Sequence, residues 1–136
     1  MRVFLVAVAA LALAGTAAAD LAIPFRTPSG NIGCYYTSNR NQASLRCDIR
    51  SGLEPRPPKP RNCPLDWGDS YELAPTGRAL LTCHGDTAVA PSARVLKYGT
   101  RWSRGGFTCT SRKAGLRCVN RSRHGFFLSR AHSFRF

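Results

Sequence analysis

Apolar and polar residues alternate along two segments of this chain, and each segment ends in Leu-Arg-Cys. In the second segment, residues 107–110 place Phe and Cys on alternate positions between threonines, and residues 116–118 place Leu and Cys on either side of Arg117. A period of two puts the apolar residues and both cysteines on one face of paired β-strands. Residues 112–115 separate the two runs and end in Gly115, which can adopt the positive φ that a tight turn requires. This segment therefore predicts a β-hairpin.

The first segment has the same pattern, with a longer polar turn over residues 38–42. Its two strands carry their apolar residues on alternate positions: Ile32, Cys34 and Tyr36 on one strand, and Leu45, Cys47 and Ile49 on the other. This alternation predicts a second hairpin.

The rest of the chain indicates further short strands. Residues 70–73 and 78–83 flank a turn at 74–77, residues 95–98 and 126–128 are apolar, and the stretch 54–62 is rich in proline, which favours a stiff extended loop. We find no amphipathic helix after the first twenty residues. The predicted fold class is all-β: a small disulfide-stapled domain of hairpins, as a meander, small sandwich or barrel, with little or no helix.

The first nineteen residues have the three regions of a secretory signal peptide. Arg2 supplies a positive charge, residues 3–14 form an unbroken apolar run, and residues 17–19 are alanines that suit cleavage before Asp20. The alternative is a membrane anchor, but twelve residues at ~1.5 Å each span only ~18 Å of a ~30 Å hydrocarbon core. We therefore predict a cleaved signal at 1–19, a single domain at 20–136 with no transmembrane segment, and a secreted or periplasmic location.

The chain has six cysteines, all of them after the predicted signal. An even number in an exported chain indicates disulfides, whereas zinc sites favour closer pairs than any present here. Hairpin alternation favours Cys34 with Cys47 and Cys109 with Cys118, which leaves one further pair, although six cysteines allow fifteen pairings. The cysteines are Cys34, Cys47, Cys63, Cys83, Cys109 and Cys118.

The charge is strongly positive and uneven. The net charge is +13, and no acidic residue follows Asp86 although eleven basic residues do. Such a surface attracts polyanions, among them nucleic acid, anionic lipid headgroups, acidic polysaccharide or an acidic protein. The alternative is a solvated surface that binds nothing. Our candidate anion-binding residues are Arg101, Arg104, Arg112, Lys113, Arg117, Arg121 and Arg123.

Aromatic residues among these arginines could stack on bases or sugars, or form the core of a small β domain, and we expect the core role. They are Trp67, Trp102, Tyr35, Tyr36, Tyr71 and Tyr98.

Histidines offer the parts of an enzyme without fixing its geometry. A small basic secreted hydrolase, such as a ribonuclease, could use one histidine as base and another as acid, beside a lysine. The stretch 83–87 (CHGDT) could instead be a disulfide next to a turn in which Asp86 caps backbone amides. We expect the second, with no catalytic residue, metal or cofactor. The histidines and lysines are His84, His124, His132, Lys97 and Lys113.

Several short motifs resemble a family of exported bacterial domains of unknown function. The resemblance extends over nearly all of residues 20–136 and implies a bacterial exported protein with paired cysteines, but no activity. The function we expect is therefore a non-enzymatic exported domain, envelope-associated or bound to an anionic partner through its arginine-rich half. A nuclease-like hydrolase or an inhibitor of a secreted enzyme is the alternative. The motifs occupy residues 27–34 (TPSGNIGC), 45–49 (LRCDI), 83–87 (CHGDT), 96–100 (LKYGT), 115–120 (GLRCVN) and 124–130 (HGFFLSR).

Overall fold

The computed structural model describes Gly15 and residues 21–136, so the predicted signal peptide and its cleavage site lie outside the described residues apart from Gly15. Eleven strands and no helix occur in residues 21–136. The strands are β1 (Leu21–Arg26), β2 (Ile32–Ser38), β3 (Ala43–Ile49), β4 (Ser70–Leu73), β5 (Leu80–Leu81), β6 (Arg94–Val95), β7 (Arg101–Arg104), β8 (Phe107–Arg112), β9 (Gly115–Val119), β10 (Gly125–Leu128) and β11 (Ser133–Arg135).

The first sheet contains the first predicted hairpin. Its strand order is β5-β4-β3-β2-β1-β6, an antiparallel meander to which β6 adds a parallel edge beside β1. Strands β2 and β3 pair with Cys34 directly opposite Cys47. The alternation that predicted this hairpin is confirmed, because Ile32, Cys34 and Leu45 are all buried on the same face.

The second sheet contains the other predicted hairpin. Its strands follow chain order, β7-β8-β9-β10-β11, and every neighbouring pair is antiparallel. Cys109 lies opposite Cys118, and the turn between β8 and β9 closes where Arg112 pairs with Gly115. Gly115 has a φ of 153°, the positive value expected for it.

All six cysteines form disulfides, in the pairing favoured by alternation. Cys34–Cys47 and Cys109–Cys118 each cross one hairpin, with Cα–Cα distances of 4.0 and 4.1 Å. The remaining bridge, Cys63–Cys83, joins the long loop after β3 to the segment after β5. Closing loops in this way stabilises a small domain mainly by restricting its unfolded chain.

The two sheets pack face to face as a sandwich, and one hydrophobic cluster contains side chains from both. Phe25 of the first sheet stacks on Trp102 of the second with ring centroids 4.8 Å apart. Tyr71 and Phe126 meet 5.5 Å apart nearer the other edge. Such aromatic contacts add to the burial of apolar surface, which is the main force that holds a sandwich together.

Several strand predictions need correction. The strand predicted over 95–98 is only Arg94–Val95. It is short because the chain turns at Lys97, whose carbonyl accepts from the Thr100 amide. The strand predicted over 78–83 is only Leu80–Leu81. Strands β1 and β7 were not predicted, and β11 was indicated only by the alternate phenylalanines at 134 and 136.

The proline-rich stretch has no regular secondary structure at residues 56–60. In residues 21–136, no helix is long and apolar enough to cross a membrane.

Candidate anion-binding surface

A buried ion pair lies on the face of the first sheet that points away from the sandwich core. Arg46 and Asp48 alternate with Leu45 and Cys47 on β3, so the core residues face inward and the charged pair faces outward. The Arg46 guanidinium donates two hydrogen bonds to the Asp48 carboxylate, at 2.9 and 2.8 Å. The Asp48 side chain is only 3% exposed, and it also accepts hydrogen bonds from the Ser70 hydroxyl at 2.6 Å.

The segment 86–89 covers this pair and explains its burial. Arg46 also donates to the Asp86 carboxylate at 2.8 Å, and Asp48 accepts from the Ala88 amide at 2.7 Å. The cover approaches so closely that a Cβ on Gly33 would collide with the backbone of Val89 and Ala88. Asp86 was expected to cap backbone amides, and the structure shows in addition that its carboxylate pairs with Arg46.

The charge on Arg46 is held firmly within this network. Burial opposes the charge, but the hydrogen bonds to Asp48 and Asp86 outweigh it and raise the pKa of Arg46 above its usual value. The hydrogen bond from Arg46 is also the main cause that lowers the pKa of Asp86.

His84 extends the network on its other side. Its Nε2 lies 2.7 Å from the Asp69 carboxylate and its Nδ1 2.5 Å from the Asp86 carbonyl oxygen. Both partners are acceptors, so both ring nitrogens must donate, which only the charged imidazolium can do. Burial opposes that charge, but the hydrogen bonds to Asp69 and to the Asp86 carbonyl raise the pKa of His84 above its usual value.

This arrangement concentrates the acids of the domain in one place. Three of the seven acidic residues in the chain, Asp48, Asp69 and Asp86, are bound to Arg46 or His84. Within residues 21–136, no ion pair includes a basic residue that follows Asp86. The positive charges of the second sheet therefore have no acidic partner within residues 21–136.

Three of the candidate arginines lie on the outer face of the second sheet. Arg101 of β7, Arg112 at the end of β8 and Arg117 of β9 are all exposed, whereas the alternate residues of these strands face the core. Arg101 pairs across the strands with Thr110, and Thr110 pairs with Arg117, which makes a row of arginine, threonine and arginine. We call Arg101, Arg112, Arg117, Thr108 and Thr110 the outer basic face.

The other candidates lie at the two ends of this sheet. Lys113 sits in the β8–β9 turn, beside Arg112. Arg104 precedes the β7–β8 turn at the opposite end, where Arg121 and Arg123 also lie, in the β9–β10 turn. The seven residues thus do not form one cluster but extend along a whole sheet.

Aromatic rings border the outer basic face on β10, β11 and the turn between them. Phe127 stacks on His132 and on Phe134 at centroid distances of 5.2 and 5.3 Å, and Phe134 is 46% exposed. The Arg117 guanidinium lies over the ring of Phe136, 4.4 Å from its centroid, a favourable cation–π geometry. These phenylalanines were not among the predicted stacking residues.

The six aromatic residues singled out from the sequence divide between core and surface. Tyr36 and Tyr71 are buried and Trp102 packs against the core, as expected. Tyr35 and Trp67 are only partly buried and lie outside the hydrophobic cluster, and Tyr98 is 41% exposed beside the β8–β9 turn, so these three do not have the expected core role.

The histidines are not brought together. His84 is buried behind the first sheet, whereas His124 and His132 lie in the turns at opposite ends of β10. Strand β10 has four residues, which span about 13 Å at ~3.3 Å each. An acid–base pair of histidines, as a ribonuclease needs, has no geometric basis here. Lys97 and Lys113 lie in separate turns, one in each half of the fold.

Comparison with known families gives a match over almost the entire chain, since the model of a family of unknown function, DUF6636, covers residues 4–136. The chain belongs to this family. No curated protein and no solved structure matches the chain. Membership in DUF6636 bears out the resemblance to a domain family of unknown function, and it assigns no activity.

Sequence reasoning missed the network around Arg46, although a signal for it was present. Arg46 and Asp48 are separated by one residue on a strand, and that spacing puts opposite charges on one face. What the pattern could not show was the cover by residues 86–89, which depends on a contact forty residues away.

Proposed function

We propose that this member of DUF6636 is an exported, non-enzymatic binding domain that holds an acidic polysaccharide on its outer basic face. The observation that carries the proposal is the row Arg101–Thr110–Arg117, in a sheet whose cations have no acidic partner within residues 21–136. Three disulfides and the leader-like residues 1–19 support an oxidising compartment outside the cytoplasm.

The spacing of the row favours a polymer over a single small ion. Neighbouring strands are about 4.8 Å apart, so Arg101 and Arg117, two strands apart, have backbones separated by about 10 Å. Two guanidinium groups at that separation meet two successive charges of a chain. The hydroxyl of Thr110 between them can hydrogen-bond a sugar hydroxyl.

The aromatic border favours polysaccharide over nucleic acid. Bases bind by inserting against open ring faces. Here Phe127, Phe134 and His132 stack on one another and Arg117 covers Phe136, so each ring already has a partner on at least one face. These rings and the stem of Arg117 instead form an apolar border beside the charged row.

Binding of polygalacturonate at about 0.15 M salt, where the screening length is about 8 Å, tests the proposal. The variant Arg101→Gln/Arg117→Gln should bind about two- to thirty-fold more weakly, because each exposed charge contact contributes about 0.2–1 kcal/mol. The control Arg40→Gln/Arg61→Gln removes the same charge from exposed sites in the β2–β3 turn and the loop after β3, and it should bind like the unaltered protein.

The result can contradict the proposal in two ways. Equal weakening in both variants would show that net charge alone drives the association. Tighter binding of single-stranded DNA than of polygalacturonate, with the same dependence on Arg101 and Arg117, would assign the face to nucleic acid instead.

A further inference from the structure

Three turns meet at one end of the sandwich and enclose a cleft of about 310 Å³. The β1–β2 loop of the first sheet forms one wall through residues 27–32. The β8–β9 turn at 112–115 and the β10–β11 turn at 129–131 form the others, and Tyr98 closes the side. We call this space the turn cleft. It lies at the end of the second sheet, whereas the outer basic face lies on its surface.

The lining of the turn cleft is positively charged and contains no acid. Arg112, Lys113 and Arg130 contribute three cations. A neighbouring hollow of about 310 Å³ shares Ser29, Asn31 and Arg130 with it and adds Arg50, again without an acidic residue. Within residues 21–136, the charged groups of Arg112, Lys113 and Arg130 take part in no hydrogen bond or ion pair, so they can bind a ligand without breaking a contact.

The wall formed by the first sheet is held rigidly. The Thr27 carbonyl accepts from the Gly30 amide at 3.0 Å, and Gly30 has a φ of 72°, so the loop closes in a tight turn. Asn31 is buried, and its side-chain amide both donates to the Ser51 hydroxyl and accepts from the Ser51 backbone, at 3.1 and 3.2 Å. The motif TPSGN at 27–31, which the proposed function leaves unused, thus builds a fixed rim.

The opposite walls are equally constrained. A Cβ on Gly115 would collide with the ring of Phe127 and with the Leu128 carbonyl, so the β8–β9 turn is pressed against β10. In the β10–β11 turn, the Ser129 hydroxyl donates to the His132 carbonyl at 2.7 Å and accepts from the His132 amide at 3.0 Å. A cleft whose walls need no ordering when a ligand enters loses little affinity to entropy.

The size and lining of the cleft indicate what it can hold. A volume of about 310 Å³ is at the lower end of the range for small-molecule sites. Three cations around one space suit a dianion better than a single carboxylate, and a lysine point charge beside arginine forks is a common arrangement around phosphate. Ile32, Ala114 and Tyr98 add apolar surface for an organic body. We propose that the turn cleft binds a phosphate group carried on a body of about the size of one sugar.

Glucose 1-phosphate is the probe for a titration followed by amide shifts in NMR spectra. Saturable shifts are expected at Ala114, Gly115 and Ser129, with much weaker binding of glucose and of glucuronate, which lack the dianion. Lys113→Gln/Arg130→Gln should raise Kd at least about ten-fold, because two hydrogen bonds to a charged group are lost. Arg40→Gln/Arg61→Gln is again the charge-matched control and should leave Kd unchanged.

The source of the phosphate is decided by a second arm with vesicles of phosphatidylcholine and phosphatidic acid in equal parts. Binding to vesicles that requires Lys113 and Arg130 would assign the cleft to a lipid headgroup, whereas binding of glucose 1-phosphate alone would assign it to a free phosphorylated sugar. The proposal is overturned by shifts that do not saturate, by an unchanged Kd in Lys113→Gln/Arg130→Gln, or by glucuronate binding as tightly as the phosphate.

This test is separable from that of the outer basic face. Arg112 borders both regions and is left unchanged in both variants. The Arg101→Gln/Arg117→Gln protein should keep its affinity for glucose 1-phosphate, and the Lys113→Gln/Arg130→Gln protein should keep most of its affinity for polygalacturonate. The experiments can therefore contradict the proposal for one site and leave the proposal for the other intact.

Discussion

Replacing Arg46 by methionine should destabilise this domain more than any other single change of charge in the first sheet. Methionine keeps much of the length and apolar stem of arginine but removes the guanidinium that binds Asp48 and Asp86. The Asp48 carboxylate, with its side chain 3% exposed, would then be buried without a counter-charge. A buried ion whose partner is removed costs about 3–5 kcal/mol.

The remaining contacts of Asp48 place the expected loss at the lower end of that range, about 3 kcal/mol. The Ser70 hydroxyl and the Ala88 amide still donate to this carboxylate at 2.6 and 2.7 Å. The double variant Arg46→Met/Asp48→Leu removes both charges but leaves the Ser70 hydroxyl and the Ala88 amide without their acceptor, at about 1–3 kcal/mol each. Its total loss, about 2–6 kcal/mol, should therefore be comparable to that of the single variant.

Urea unfolding with the disulfides intact measures these differences through the fluorescence of Trp102 in β7 and of Trp67 in the loop before β4. The matched control is Arg50→Met, since Arg50 follows the same strand but is exposed, and its cost should stay within about 0.5 kcal/mol. A loss below about 1 kcal/mol for Arg46→Met would refute the argument about an uncompensated buried charge.

Two further predictions concern pH and processing. The hydrogen bonds to Asp69 and to the Asp86 carbonyl outweigh burial and raise the pKa of His84 in the folded chain, so the contribution of His84 to stability is complete below its unfolded pKa of about 6.5 and is lost as pH rises through the folded value. Urea unfolding between about pH 6 and pH 9 should show this decline in the free energy of unfolding, and His84→Gln should make the decline less steep. An equally steep decline in His84→Gln would contradict the role of His84. Mass spectrometry of the exported protein should find Asp20 as the first residue, and a chain that retains Met1 would contradict cleavage after Ala19.

Local patterns predicted the parts of this fold that depend on neighbouring residues. The hairpins with Cys34–Cys47 and Cys109–Cys118 could be predicted because thirteen and nine positions separate the partners, and alternation fixes which side chains share a face. Once these two disulfides were predicted, Cys63 and Cys83 were the only cysteines left to form the third. A disulfide between distant strands would not have been found in this way.

The strands that were missed pair through contacts that no local pattern contains. Strand β1 contains Pro24 and alternates poorly, and β6 joins it in parallel from about seventy residues further along the chain. Strand β7 has four residues, of which only Trp102 is apolar, so a period of two cannot be recognised. The turn cleft has the same origin, because its three walls come from loops that are distant in sequence and meet only when the sheets pack.

Two basic residues of the second half contribute contacts to the fold: Arg135 donates a hydrogen bond to the Ala79 carbonyl, and the Arg117 guanidinium packs on the Phe136 ring. Neither contact neutralises the charge. The inner face of the second sheet is stabilised by Phe107, Leu116, Phe126 and a disulfide, and within residues 21–136 its basic residues form no ion pair. Cations crowded on one sheet repel one another, which opposes folding unless anions collect there. Basic residues that have no acidic partner within residues 21–136, beside a cleft lined by three of them, support the proposed binding of an anionic partner.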